Sequence, residues 1–293
     1  MRTFSKWSII FWSLYIASEA TSFAFSFPSI KNVAQIDYDK NLFSDAYDFN
    51  GIVALSNCSG SLIRYEQSEL DDQGIILTNG HCVGMLDPNT SYYKKPSSRR
   101  FNLLNSRGNS IGRVTARQLQ YATMSKTDLA LYELRKTYRE IEEEYGIEAF
   151  TLSPSRADVG DGIQIISGYW RRGYECSIEH IVHRLKESHW IFHDSLRYSR
   201  PGCETIGGTS GSPIILTGTK TIIGINNTGN ESGKKCSLNN PCEIDDLGSV
   251  LYKRGYSYGQ QTDIIYSCLD DNLEIDLEKE SCQLIKGEIA SDA

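Results

Sequence analysis

The chain has 293 residues, 40% hydrophobic and 23% charged, with 24 glycines, 7 prolines and a formal net charge of −7. This is an ordinary globular composition, long enough to bury a core in one large or two moderate domains, and it excludes collagen-like, low-complexity and solenoid chains. Arg99-Arg100 and Arg171-Arg172 are pairs, not the clustered basic patch that binding to nucleic acid requires.

The first segment, "MRTFSK", carries Arg2 and Lys6. An apolar run, "WSIIFWSLYIA", follows, and then small residues in "SEATSFA". That order is the pattern of a secretory signal peptide, and the run is too short to span a membrane. Cleavage is expected after Ala20, with Ala24 as the alternative, so residues 1–20 read as the signal. Residues 21–48 are polar with scattered aromatics and read as a pro-segment or an N-terminal arm. All eight cysteines lie beyond them. An even count in an exported chain predicts four disulfides, for which 105 connectivities exist. The absence of a CxxC pair argues against zinc ribbons and thioredoxin chemistry.

From Gly51 the texture becomes apolar and β-favouring. "GIVALSNCSGSLIRY", "GIILTNGHCVGML", "SIGRVTARQLQYAT" and "DLALYEL" are short apolar or alternating runs between turn signals. They predict an all-β barrel or sandwich. "RKTYREIEEEYGIEAF" is strongly charged and is predicted to form a surface helix or linker that Gly146 stops. Strand-like runs resume with "GDGIQIISGYW", "YECSIEHIVHRL", "HWIFHDSLRYS" and "KTIIGINNTG". "SYGQQTDIIYSCL" reads as a last strand or helix. Beyond Cys268 there are eight acidic and two basic side chains, and the alternation of Leu273, Ile275 and Leu277 predicts a half-buried strand.

The stretch "CETIGGTSGSPIIL" carries four hydroxyls, on Thr205, Thr209, Ser210 and Ser212. Ser210 has Gly208 two residues before it and Gly211 directly after it. Small neighbours let a substrate backbone approach an attacking oxygen. The N–H groups of Gly208 and Ser210 would converge on an oxyanion if the chain turns tightly between them. A serine hydroxyl needs a base, and the base an orienting acid. His81 in "LTNGHC" follows an apolar strand, and Asp128 in "KTDLALYEL" opens an alternating one. The other histidines, at 180, 183, 189 and 193, lack zinc-site spacing and read as surface or hairpin residues. The acidic "DDNLEIDLEKE" lacks the glycine of a calcium loop. No metal or cofactor is expected.

In the order "CSGSLI", "ILTNGHCV", "TDLALYEL", "ISGYW", "GGTSGSPII", the chain resembles the chymotrypsin-like serine proteases from about Gly51 to Ile265. The GSP ending is similar to the bacterial trypsin-like and glutamyl-endopeptidase branches. The resemblance implies two six-stranded antiparallel Greek-key barrels packed face to face, with short surface helices and a cleft between the barrels. It implies His81 as base, Asp128 as its orienting acid, Ser210 as nucleophile, and Gly208 with Ser210 as the oxyanion hole. The barrels would span 49–136 and 151–266, joined by 137–150 and followed by an acidic segment over 267–293. The family also pairs the cysteine after its catalytic histidine with one on the preceding strand, here Cys82 with Cys58. Proximity in the chain then pairs Cys176–Cys203, Cys236–Cys242 and Cys268–Cys282.

The chain departs from the trypsin pattern in places. Thr209 stands where zymogens of this type carry an Asp, and no "IVGG" start is present beyond the echo "NGIVAL". Activation by insertion of a new N-terminus is therefore not expected. Glu204, six residues before Ser210, matches the floor of the trypsin pocket and would favour Arg or Lys. Thr205, Asn226, Thr228 and Gly229 are the candidate pocket walls; Asn226 replaces the His of glutamyl endopeptidases. The expected function is that of a secreted or periplasmic serine endopeptidase. The alternative is a catalytically silent binding module on the same fold. Polypeptide substrates and protein inhibitors are the expected partners, of a monomer without nucleic-acid or membrane binding.

Overall fold

The computed structural model describes residues 47–289. The signal-peptide reading and nearly all of the 21–48 segment lie outside the described residues.

In chain order the strands of the first half are β1 (Ile52–Ala54), β2 (Ser59–Arg64), β3 (Gln73–Thr78), β4 (Thr90–Pro96), β5 (Arg100–Leu104), β6 (Ser110–Thr123) and β7 (Leu129–Thr137). Helix α1 (Tyr138–Tyr145) and strand β8 (Phe150–Leu152) follow. The second half holds β9 (Gly162–Ser167), β10 (Arg172–Glu187), β11 (Trp190–Tyr198), β12 (Pro213–Leu216) and β13 (Thr221–Gly229). It continues with β14 (Cys242–Ile244), β15 (Val250–Leu251), β16 (Ser257–Gln261), a 3-10 helix (Asp263–Cys268) and β17 (Glu288–Ile289).

Antiparallel pairing closes two six-stranded rings. The first runs β1–β2–β3–β7–β6–β5 and back to β1. The second runs β9–β10–β11–β16–β13–β12 and back to β9. Counted within each ring, both have the order first, second, third, sixth, fifth, fourth. The fold is therefore a pair of Greek-key barrels with one topology used twice. Closure leaves no open edge on either barrel sheet. Strand β8 runs parallel to β2 and also to β13, tying one barrel to the other.

The apolar runs that predict strands become barrel interior. β7 is buried over its first six residues and β3 over its last five. One apolar cluster crosses from barrel to barrel. It joins Leu62, Ile76 and Met124 of the first half to Val182, Trp190 and Phe192 of the second. The Trp190 indole N–H also donates to the Leu86 carbonyl at 2.8 Å.

Helix α1 has its own punctuation. Thr137 and Glu140 form a reciprocal capping box, and Gly146 ends the helix with φ 66°. Tyr138 and Ile141 face inward while the glutamates stay in solvent.

The acidic segment after Cys268 departs from the expected strand. It forms turns around one bridge, Leu269 to Ile275, with Ile275 buried and Leu273 and Leu277 half-buried. Asp270 explains why. Its carboxylate accepts the N–H groups of Asn272 and Glu274, which curls the chain into a local turn. The segment then lies along the first barrel: Tyr93 donates to the Ile275 carbonyl, Tyr121 to the Ile285 carbonyl, and β17 pairs parallel with β4. Four disulfides close the structure: Cys58–Cys82, Cys176–Cys203, Cys236–Cys242 and Cys268–Cys282.

Candidate active site

The register of β3 against β7 pairs Thr78 with Ala130. The turn after β3 is thereby set beside the residue before β7. In that corner His81 Nδ1 lies 2.7 Å from Asp128 Oδ2, and the His81 backbone N–H donates to Asp128 Oδ1 at 3.1 Å. A carboxylate only accepts, so Nδ1 carries the imidazole proton and Nε2 is left as the acceptor. Asp128 is 1% exposed and the His81 side chain 23%. Burial pulls the His81 pKa down. The charge and hydrogen bond of Asp128 push it up, Glu187 adds to that push, and the net pKa lies above the ordinary histidine value.

Ser210 sits in the loop between β11 and β12 and is clamped to the first barrel. Its carbonyl accepts the Ser59 N–H at 2.8 Å. The next N–H, on Gly211, donates to Asn79 Oδ1 at 2.6 Å and to the Asn226 carbonyl at 3.0 Å. Gly211 has φ +80°, and a Cβ there would stand 2.1 Å from the Ser59 carbonyl oxygen, so no side chain fits. Asn79 also donates from Nδ2 to the Asp128 carbonyl at 2.7 Å. One buried amide thus joins the residue that precedes β7, Asp128, to the loop that carries Ser210.

Thr209 is buried, and its hydroxyl donates to the Ile206 carbonyl at 2.6 Å. Asn226 Nδ2 donates to the Thr209 carbonyl and hydroxyl, both at 3.1 Å, and Asn226 Oδ1 accepts from the Tyr198 hydroxyl. This network is uncharged.

His81, Asp128 and Ser210 line one solvent-open cleft. Ser210 Oγ donates to the Asn227 carbonyl at 3.2 Å, and among the described residues no hydrogen bond joins it to His81. The N–H groups of Thr209, Gly211 and Ser212 are engaged. Those of Gly208 and Ser210 have no acceptor among the described residues.

Thr205, Asn226, Thr228 and Gly229 line the same cleft, although the Asn226 amide is committed to Thr209 and Tyr198. Glu204 is not brought there. The Cys176–Cys203 bridge holds the preceding residue in the core, and the Glu204 carboxylate curls back onto the 200–202 turn. It accepts the Gly202 N–H at 2.9 Å and the Arg200 Nε–H at 3.1 Å, and these partners hold its pKa below the usual carboxylate range.

The further carboxylates in the cleft belong to Glu187 and Glu231, which no motif in the sequence marks. Glu187 closes the tight Glu187–Trp190 hairpin and accepts the Asn239 N–H at 2.7 Å. Burial pushes its pKa up against the pull of that amide and of the Thr228 hydroxyl. The Glu231 carboxylate has no partner among the described residues. Asn79 stands in the quoted "LTNGHC", two residues before His81, and that position was the one available signal for it. The metal-ligand grouping found among the described residues, Cys58, His81 and Cys82, has both sulfurs in one disulfide and so offers no thiolates.

Residues 58–225 match the family model described as "trypsin-like peptidase domain". No curated protein sequence matches the chain. The solved structures similar to it include the MamO protease domain from Magnetospirillum magneticum, at 15% identity with a TM-score of 0.47 over 77% of this chain and 98% of that one. Nocardiopsis protease is 16% identical, with a TM-score of 0.44 over 78% and 98%. Neuropsin, a serine protease expressed in mouse brain, is 15% identical, with a TM-score of 0.43 over 73% and 89%.

Proposed function

The chain belongs to the family of trypsin-like peptidase domains, and from that premise we propose that it is a secreted serine endopeptidase working through an acyl-enzyme. The observation that carries the reading is the 2.7 Å His81–Asp128 contact in the cleft that Ser210 also lines.

Rotation of Ser210 Oγ away from the Asn227 carbonyl presents it to His81 Nε2. The hydroxyl then attacks the scissile carbonyl carbon as Nε2 takes its proton. Asp128 keeps the proton on Nδ1 and stabilises the imidazolium. The carbonyl oxygen becomes an oxyanion and takes the N–H groups of Gly208 and Ser210; losing one such donor costs about 10²–10³ in rate. His81 returns its proton to the leaving amine, and water repeats the sequence on the ester. Export is supported by the apolar N-terminal run and the four disulfides.

The Ser210–Asn227 hydrogen bond favours a second reading, a silent binding module whose serine stays turned away. A fluorophosphonate probe separates the two. The peptidase reading expects covalent label on Ser210 and casein turnover that Ser210→Ala abolishes. Folded protein without label or turnover leaves the silent module.

A further inference from the structure

The two N–H groups offered as an oxyanion hole do not hold their directions equally firmly. That of Ser210 is fixed through its own peptide, because the Thr209 carbonyl at the other end of that plane accepts from the Ser212 N–H and from Asn226 Nδ2, both at 3.1 Å. That of Gly208 belongs to the central peptide of a β-turn. The turn is closed by the Thr209 N–H donating to the Ile206 carbonyl at 3.1 Å, with Gly207 and Gly208 at its two central positions. Gly208 has φ +88°, the value that makes the turn type II. Type I and type II turns differ by a flip of the central peptide, and two glycines make either form accessible. In a trans peptide the C=O and the following N–H point in opposite directions. A flip would therefore exchange the Gly208 N–H for the Gly207 carbonyl oxygen, and a donor for an acceptor.

The Gly207 carbonyl oxygen accepts a hydrogen bond of 2.7 Å from the indole Nε1 of Trp170. We infer that Trp170 is a positioning residue for the oxyanion hole: its indole holds the Gly207–Gly208 peptide in the type II form, with the Gly208 N–H turned away from the indole and available to the substrate. The inference rests on the serine-peptidase reading of the same site.

Trp170 is itself held in place. Its backbone N–H donates to Ser167 Oγ at 3.2 Å, and the Tyr169 N–H donates to Ser59 Oγ at 3.1 Å. The two serine hydroxyls meet at 3.0 Å. Ser59 also gives its N–H to the Ser210 carbonyl, so the support for the indole and the support for the nucleophile share one residue. The Tyr169 and Trp170 rings meet edge to face with centroids 4.9 Å apart. Together they back the turn closely: a Cβ on Gly208 would lie 2.9 Å from Trp170 Nε1 and 3.0 Å from the Tyr169 ring. Trp170 remains 47% exposed. "ISGYW" carries this tryptophan in the sequence, but nothing there shows that its N–H reaches a turn 37 residues away.

The test uses the full-length protein in three forms: wild type, Trp170→Phe, and protein carrying the tryptophan isostere with sulfur in place of the indole N–H. Each is assayed for kcat and KM on a peptide amide, for inhibition by a peptide aldehyde, for the rate of fluorophosphonate labelling of Ser210, and for melting temperature. Loss of one ordinary hydrogen bond is expected to lower kcat, aldehyde affinity and labelling rate together, by roughly three- to tenfold. KM and melting temperature stay at wild-type values. The isostere preserves ring packing, so a loss common to both variants belongs to the N–H. Wild-type kcat and aldehyde affinity in both variants, or a rise in KM alone, would overturn the inference while leaving the peptidase reading intact. Failure of the wild-type protein itself to label would overturn that reading and the inference with it.

Discussion

At the scale of single residues the cleft sets a protonation problem. A general base must be neutral to accept the Ser210 proton, yet the surroundings of His81 favour its charged form on balance. Below its pKa the imidazolium cannot act. The acid limb of the kcat/KM profile is therefore expected above the ordinary histidine value of about 6.5, with activity rising as pH climbs through it. Glu187 is one of the groups that support the imidazolium. Glu187→Gln keeps an acceptor for the Asn239 N–H and removes the charge, so it should move that limb to lower pH. Matched pH–rate profiles check the sign, and a limb that moves upward contradicts the account. Glu204 gives a second prediction. Its carboxylate is occupied by Gly202 and Arg200 outside the cleft, so Glu204→Gln should leave the cleavage profile of a peptide library unchanged. The contrast shows where residue reading works. His81, Asp128 and Ser210 stand in short motifs whose neighbours are constrained by the same corner of structure. The direction of a carboxylate six residues from Ser210 depends on a turn and a disulfide that no local pattern displays.

At the scale of elements, the corner after β3 carries the most consequences per residue. Four consecutive positions there each have a long-range partner or a tight fit: Asn79 bonds Gly211 and the Asp128 carbonyl, Gly80 presses on the Thr123 carbonyl, His81 meets Asp128, and Cys82 is bridged to Cys58. Asn79→Ala removes the amide that couples the two halves of the site and leaves buried groups short of a partner. A cost of about 1–3 kcal/mol is expected by chemical denaturation, with kcat reduced by roughly tenfold or more. Replacing Cys58 and Cys82 together by Ser should cost about 2–4 kcal/mol. The strands themselves were legible because apolar alternation reports burial directly. The tail was not: Leu273, Ile275 and Leu277 alternate as a strand would, but the Asp270 side chain captures the backbone N–H groups that a strand would have used.

At the scale of the whole molecule, the repeated ring order is invisible in the sequence, because the two halves share topology without sharing a periodic pattern. Pairings such as β1 with β5 or β9 with β12 join residues far apart in the chain, and only the closed barrels reveal them. The acidic tail belongs to this scale because it binds the last strands of the second half to the outside of the first. Cys268–Cys282 ties it at one end, and Leu269, Ile275 and Leu284 sink into the cluster that holds Leu77, Tyr121 and Leu131 of the first barrel. Each such side chain is worth about 1.5–3 kcal/mol when fully buried, and closing a loop of this size adds about 3 kcal/mol. Among the described residues, none beyond Asn239 lines the catalytic cleft. Deleting the chain from Asp271 onward, with Cys268→Ser to remove the orphaned thiol, should therefore cost several kcal/mol and lower the melting temperature clearly. Assayed well below that temperature, kcat and KM should stay near the full-length values. A large loss of kcat in folded, truncated protein would instead mean that the first barrel needs the tail to hold His81 and Asp128 in register with Ser210.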